Sequence, residues 1–286
     1  MNISGFRISP GKRVNLRSFD PAKQDSSRDE AAGKLKENIE RLAGLQNVLS
    51  AQDTYAILII FQAMDAAGKD SVIKHVMTGL NPQGCRVVSF KEPSSEELRH
   101  DYLWRCVREL PERGQIGIFN RSYYEEVLIV RVHPAILMNE RLPSDRRGRD
   151  LWKSRFRDIA EFERYLVENG TVILKFFLNV SRQEQSKRFL ERLNRPDKHW
   201  KFSMHDIGER KFWNQYQKAY GEMLGRTNTQ WAPWYVVPAD HKWFTRLVVS
   251  EIICRRLEEL HLKYPPLTKA HKREIRLAKN LLSKER

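Results

Sequence analysis

Cysteine is scarce. The 286 residues include three, Cys85, Cys106 and Cys254, an odd number set far apart. That excludes a disulfide framework and a cysteine zinc site, and it fits a reducing, cytoplasmic setting. The eight histidines show no ligand spacing. No run of 18 apolar residues exists, so no spanning helix is expected. The first residues, MNISGFRISPGKRVNL, lack an apolar core, so no secretory signal is read there. No internal repeat is visible. Acidic residues are outnumbered: 51 Lys and Arg face 36 Asp and Glu, a net charge of +15. Such an excess predicts a polyanionic partner, whether nucleic acid, nucleotide phosphates or an inorganic polyanion.

What is present is enough for a core, with 41% hydrophobic and 30% charged residues. Residues 1–27 are polar and read as an arm that orders on contact. Leu35, Ile39, Leu42, Leu45 and Leu49 recur at helical spacing and predict a helix over 28–52. An apolar run, 55–61, is too short for a buried helix and predicts a strand covered on both faces. A helix over 71–80 follows, stopped by Asn81-Pro82. The beat repeats: strands at 85–90, 115–120, 171–178 and 234–238, and helices at 94–110, 147–169, 181–193, 207–224 and 243–262. Five apolar strands alternating with helices predict an α/β fold, a parallel sheet with helices on both faces. Residues 263–286 carry eight basic and two acidic residues and read as a surface helix, either a solvated tail or one with a binding role.

The first strand runs into MDAAGKDS (64–71). A strand, a tight loop and a helix bring unpaired helix-start N–H groups to the loop, and the helix dipole adds positive charge. Such loops bind phosphate. Gly68 lets the backbone approach an anion, and Lys69 either supplies a mobile cation or, in a plain strand–turn–helix, caps a carbonyl. The match to the P-loop pattern G-x-x-x-x-G-K-[ST] is imperfect: Ala63 replaces the first Gly, and Asp70 takes the Ser/Thr place with Ser71 one residue late. Ala66, Ala67, Asp70 and Ser71 complete the candidate phosphate-binding loop. Asp65 would repel an anion unless a cation lay between, and Mg²⁺ favours one or two carboxylates plus phosphate oxygens.

The third strand ends in Asn120-Arg121, where open α/β sheets bind ligands, and Arg121 is placed for phosphate contact or for an ion pair with Glu125 or Glu126. Residues 181–213 hold nine Lys/Arg against five Asp/Glu, with Arg188 and Arg192 one turn apart and Lys198 and Lys201 in the following loop. They form either a lid over phosphates or a solvated helix face.

The segments MDAAGKDSVIKHVMTGLNPQGC (64–85), FNRSYYEEVLIVRVHP (119–134), SKRFLERL (186–193), DKHWKFSMHD (197–206) and APWYVVPADHKWFTR (232–246) resemble the polyphosphate kinase 2 family. The likeness runs from about Phe19 to Leu262. It implies a three-layer P-loop kinase fold like that of thymidylate kinase, in one domain over 28–262 with a helical lid near 181–213 and a basic tail after it. It also implies phosphoryl transfer between inorganic polyphosphate and nucleotides such as AMP, ADP, GMP and GDP. On this resemblance Asp65 and Glu125 hold Mg²⁺, Lys69 and Arg121 hold phosphates near the point of transfer, and Arg188 and Arg192 belong to the lid. Asn120-Arg121-Ser122-Tyr123-Tyr124-Glu125 resembles the subgroup that accepts mono- and diphosphates, because diphosphate-selective members carry Asn where this chain has Glu125. A homodimer or homotetramer is implied, with helix 28–52 as a candidate contact between subunits. An ATP-dependent nucleotide kinase on the same fold stays open as an alternative, as does a basic nucleic-acid-binding module, although no nucleic-acid motif is recognisable.

Overall fold

A strand with water on one face alternates apolar and polar residues; one covered on both faces does not. The first strand, β1 (Ala56–Ala63), has all eight residues buried. It is the middle of a five-stranded parallel sheet in the computed structural model, which describes residues 1–11, 13–148 and 150–285. The other strands are β2 (Cys85–Ser89), β3 (Ile116–Asn120), β4 (Thr171–Asn179) and β5 (Trp234–Pro238), in the order β2-β3-β1-β4-β5. Ile57 to Phe61 pair with Ile116 to Asn120, and Ala56 to Ala63 with Thr171 to Leu178.

The helices among the described residues are α1 (Arg28–Gln52), α2 (Lys69–Val76), α3 (Trp104–Val107), α4 (Ile129–Val132), α5 (Pro134–Asn139), α6 (Leu151–Glu168), α7 (Arg182–Leu193), α8 (Met204–Glu209), α9 (Trp213–Thr227), α10 (Lys242–Glu258) and α11 (Lys269–Lys284). Helices α1, α2 and α10 pack together as one layer, while α4, α6 and α9 form another. None is long and apolar enough to cross a membrane. The chain leaves β1 toward β2 and β3 on one side and later returns to β4 on the other. The carboxyl end of β1 is therefore the switch point where such sheets open a crevice.

Several elements differ from the sequence expectation. Residues 94–110 do not form one helix. Ser94 and Glu97 do cap each other's backbone N–H, but Asp101 then accepts from the Leu103 N–H at 2.9 Å and restarts the chain as α3. The expected helix 207–224 is broken into α8, a 3-10 turn at Arg210–Phe212, and α9. Helix α1, a candidate contact between subunits, packs one face inside its own subunit. Ala31, Asn38, Leu42, Gln46 and Leu49 are buried, and Asn38 donates to Ser250 Oγ of α10 at 3.0 Å. The N-terminal arm is part of the core. Phe6, Ile8 and Leu16 are buried, the Ile8 N–H donates to the Trp234 carbonyl of β5, and Asn228 Nδ2 donates to the Ile8 carbonyl. Helix α11 does form, capped by Thr268, and none of its residues is buried.

Because Phe6 packs edge-on against Phe244 inside this core, Phe6→Ala is expected to cost about 3 kcal/mol in urea unfolding. A loss under about 1 kcal/mol would place the arm outside the cooperative unit.

Candidate active site

Between β1 and α2 the chain makes the turn Met64-Asp65-Ala66-Ala67-Gly68. Gly68 caps α2 with φ of 109°, a left-handed conformation that a side chain would strain. Ala66 is also left-handed, at 60°. The first N–H groups of α2 have no carbonyl one turn earlier to meet. The turn is held from behind by Arg188 on α7, which is 5% exposed. Its Nη1 donates to the Ala66 and Ala67 carbonyls at 3.0 and 2.7 Å. Its Nη2 donates to the Ala239 and Asp240 carbonyls at 2.6 and 3.0 Å, and Nε to Glu184 Oε1 at 2.9 Å. All five guanidinium N–H groups are thus engaged. A trans peptide points its C=O and N–H in opposite directions. Pinning the Ala67 carbonyl therefore turns the Gly68 N–H away from Arg188. The expected lid arginine is, in this geometry, a buried staple across the loop and the end of β5.

Arg121 follows β3 with φ of 66°, a costly conformation of the kind that collects at functional sites. Its Nη2 donates to Asp65 Oδ1 at 2.9 Å. The ion pair is therefore with Asp65, not with Glu125 or Glu126. Glu126 instead lies 3.1 Å from Arg155. Lys69 Nζ donates back to the Ala63 carbonyl at 2.9 Å. Burial and the neighbouring Arg121 charge pull the Lys69 ammonium below its ordinary value, against Asp65, Glu125 and Asp70. Burial pushes the Glu125 carboxyl up, opposed by Arg121 and Lys69 and assisted by Asp65. The Gln62 amide, oriented to satisfy its neighbours, donates to Glu125 Oε1 at 2.8 Å and accepts from the Ser122 N–H. Asn120 Nδ2 donates to Asp70 Oδ1 at 2.8 Å, and Ser71 Oγ accepts from Arg246 at 2.9 Å.

These groups line a cleft of about 690 Å³ whose described walls carry eight Lys or Arg and four acidic residues. Asp65, Lys69, Arg121, Arg188, Arg192 and Lys198 share it, with Ala66, Gly68, Asp70, Ser71 and Asn120. Ala67 is buried beneath it, and the Lys201 side chain lies outside the described residues. A smaller cavity of about 170 Å³ adjoins it, with Asp65, Arg121 and Asp206 bordering both and Glu125, Tyr216 and Tyr220 in its wall.

Arg192 lies 3.7 Å from Asp206, and Lys198 lies 3.3 Å from Glu191. Five charged wall residues escaped the sequence reading: Lys74, Lys91, Glu191, Asp206 and Lys242. Lys242 had a usable signal, since it follows the carboxyl end of β5, where the crevice opens. Among the described residues no group of three or more His, Cys, Asp or Glu could hold a metal ion by itself. The cleft has the means to bind a chain of phosphates: backbone N–H groups at a helix start, and cations on several elements.

The family model described as Polyphosphate kinase 2 (PPK2) matches residues 25–265. The chain is 51% identical over 274 residues to a protein of Rhodopseudomonas palustris named ADP-polyphosphate phosphotransferase, covering 94% of each. It is 42% identical over 263 residues to the AMP/ADP-polyphosphate phosphotransferase of Meiothermus ruber, covering 91% of this chain and 94% of that one. The crystal structure of polyphosphate kinase 2 from Arthrobacter aurescens superposes with a TM-score of 0.86 at 36% identity, over 96% of each chain.

An ammonium cannot reach four carbonyls at once, so Arg188→Lys is expected to lower unfolding stability by about 2 kcal/mol. Unchanged stability would show that the loop does not depend on the staple.

Proposed function

Since the chain belongs to the polyphosphate kinase 2 family, we propose that it transfers the terminal phosphoryl group of inorganic polyphosphate, reversibly, to nucleoside mono- and diphosphates. The observation that carries this reading is the convergence of Asp65, Lys69 and Arg121 on one basic cleft at the start of α2. Polyphosphate bears charge along its whole length, so it needs a track of cations, and binding through many such contacts weakens with salt.

In the proposed reaction an oxygen of the acceptor's terminal phosphate attacks the end phosphorus of the polyphosphate chain. The bond from that phosphorus to its bridging oxygen breaks, and the shortened chain leaves with the bonding electrons. No covalent enzyme intermediate is needed, because transfer of this kind depends on positioning and charge stabilisation. Lys69 and Arg121 hold the transferring group, the N–H groups of the 66–70 turn receive its oxygens, and Arg192 and Lys198 close the lid end of the track. Arg188 acts by keeping the turn in shape.

The family implies a divalent cation, and the residues fit one. Asp65 and Glu125 border the same cavity and offer hard oxygen donors, and the Asp65 charge helps burial to push the Glu125 carboxyl up. In this reading they would hold Mg²⁺, which would supply positive charge to offset that of the phosphates. Assembly as a homodimer or homotetramer belongs to the proposal, with exposed Leu277, Leu281 and Leu282 of α11 as candidate contacts. So does a cytoplasmic setting, which the free thiols of Cys85, Cys106 and Cys254 support.

The test is a matrix of donors, polyphosphate or ATP, against AMP, ADP, GMP and GDP, read by product formation. Turnover with polyphosphate is expected for both phosphate lengths, and turnover with ATP alone would assign an ordinary nucleotide kinase. Glu125→Asn is expected to lower kcat/KM for AMP at least about tenfold more than for ADP. Equal losses would remove Glu125 from acceptor choice.

A further inference from the structure

Glu125 stands on a 3-10 turn, Tyr123–Val127, directly after two tyrosines that are both buried. The two hydroxyls donate to one atom, Glu163 Oε1 on α6: Tyr123 at 2.8 Å and Tyr124 at 2.7 Å. The other oxygen, Glu163 Oε2, accepts from Lys175 Nζ of β4 at 2.5 Å. Lys175 Nζ also donates to the Tyr124 hydroxyl at 3.0 Å and to the Thr227 carbonyl at 2.8 Å. An ammonium has three N–H groups, and all three are placed.

The Lys175 and Glu163 side chains are both without solvent exposure. Burial pulls the Lys175 ammonium down from its ordinary value, and Glu163 opposes this. A buried ion pair is often no more stable than a well-packed apolar pair of the same volume. What charge provides here is direction. The pair fixes two consecutive tyrosine hydroxyls and the last turn of α9. Further along, α9 carries Tyr216 and Tyr220, which face Glu125 across the smaller cavity. One buried network therefore holds both walls of that cavity. Among the described residues Glu125 itself has a single side-chain donor, the Gln62 amide. Its position is thus set mainly by the turn it stands on, and a displacement near 1 Å is enough to disturb a reacting geometry.

We propose that the Lys175–Glu163 pair, acting through Tyr123 and Tyr124, is the positioning device for the Glu125 carboxylate and so sets discrimination between nucleoside mono- and diphosphate acceptors. This rests on the phosphotransfer reading above. Lys175, Glu163, Tyr123 and Tyr124 are positioning residues and touch no substrate.

Tyr124→Phe keeps the ring and removes one hydroxyl, and Glu163 retains Tyr123 and Lys175. Tyr123→Phe is the second variant, for use where the first does not fold. With polyphosphate as donor, kcat/KM for AMP and for ADP is measured in each variant, alone and combined with Glu125→Asn. Tyr124→Phe is expected to lower the AMP-to-ADP ratio about fivefold. With Asn at 125 no carboxylate remains to be positioned, and the same change is expected to move the ratio less than about twofold. Equal loss with both acceptors would make the network merely structural and overturn the proposal. So would a shift of the same size in the Glu125→Asn background. If Glu125→Asn alone leaves the ratio unmoved, the acceptor role of Glu125 fails first and takes the positioning role with it. If it moves the ratio and neither tyrosine variant does, only the positioning role fails.

Discussion

Amide N–H groups at the start of a helix have no carbonyl to meet, and the surroundings of α2 keep them facing a charged cleft. Gly68 takes the left-handed turn that lets the chain enter α2 directly from β1. Arg188 holds the Ala66 and Ala67 carbonyls on the far side. Arg121 covers the one carboxylate in the turn, Asp65, from the end of the neighbouring strand. Each contact comes from a different element, so the turn keeps this shape only when β1, β3, α7 and the end of β5 are all in place. Its geometry is a consequence of the strand order.

The rest of the cleft is built to change partners. The contacts that hold Lys198, Lys242 and Arg192 are ion pairs at 3.3, 4.0 and 3.7 Å between partly exposed side chains. Pairs of this kind are worth about 0–1 kcal/mol. A phosphate chain can therefore replace Glu191 and Asp206 as their partners at small cost. The network around Lys175 is the opposite case: it is sealed from water with every donor used. In the proposed reading the site joins a fixed wall, where acceptor geometry would be decided, to a loose lid, where a long polyanion would enter and leave.

Much of this was legible in the sequence, for physical reasons. Burial on both faces makes β1 and β4 apolar runs broken by one polar side chain each, Gln62 and Lys175, so the sheet and its βα order could be read directly. The turn announced itself through Gly68-Lys69, and Arg121 through its place after a strand. Other features were hidden. Phe6, Ile8 and Leu16 are isolated apolar residues in a polar stretch, and composition concealed their place in the core. Asp101 interrupts a helical pattern by a local hydrogen bond that periodicity does not register. Arg188 and Arg192 share a helix face in sequence and border the same cleft, yet the Arg188 guanidinium is spent on carbonyls and Arg192 lies beside Asp206. Lys175 had a readable signal that was passed over. A lone charge in the apolar strand TVILKFFL needs a buried partner, and Glu163 on the preceding helix supplies it.

The central claim is that phosphates bind in the turn before α2. A crystal structure of the protein with Mg²⁺, AMP and a methylene-bridged polyphosphate tests it most directly. The account predicts phosphate oxygens against the Gly68 and Lys69 N–H groups, Lys69 Nζ released from the Ala63 carbonyl to reach them, and Arg121 alongside. Phosphates bound elsewhere, with the turn empty and Lys69 still on Ala63, would contradict it.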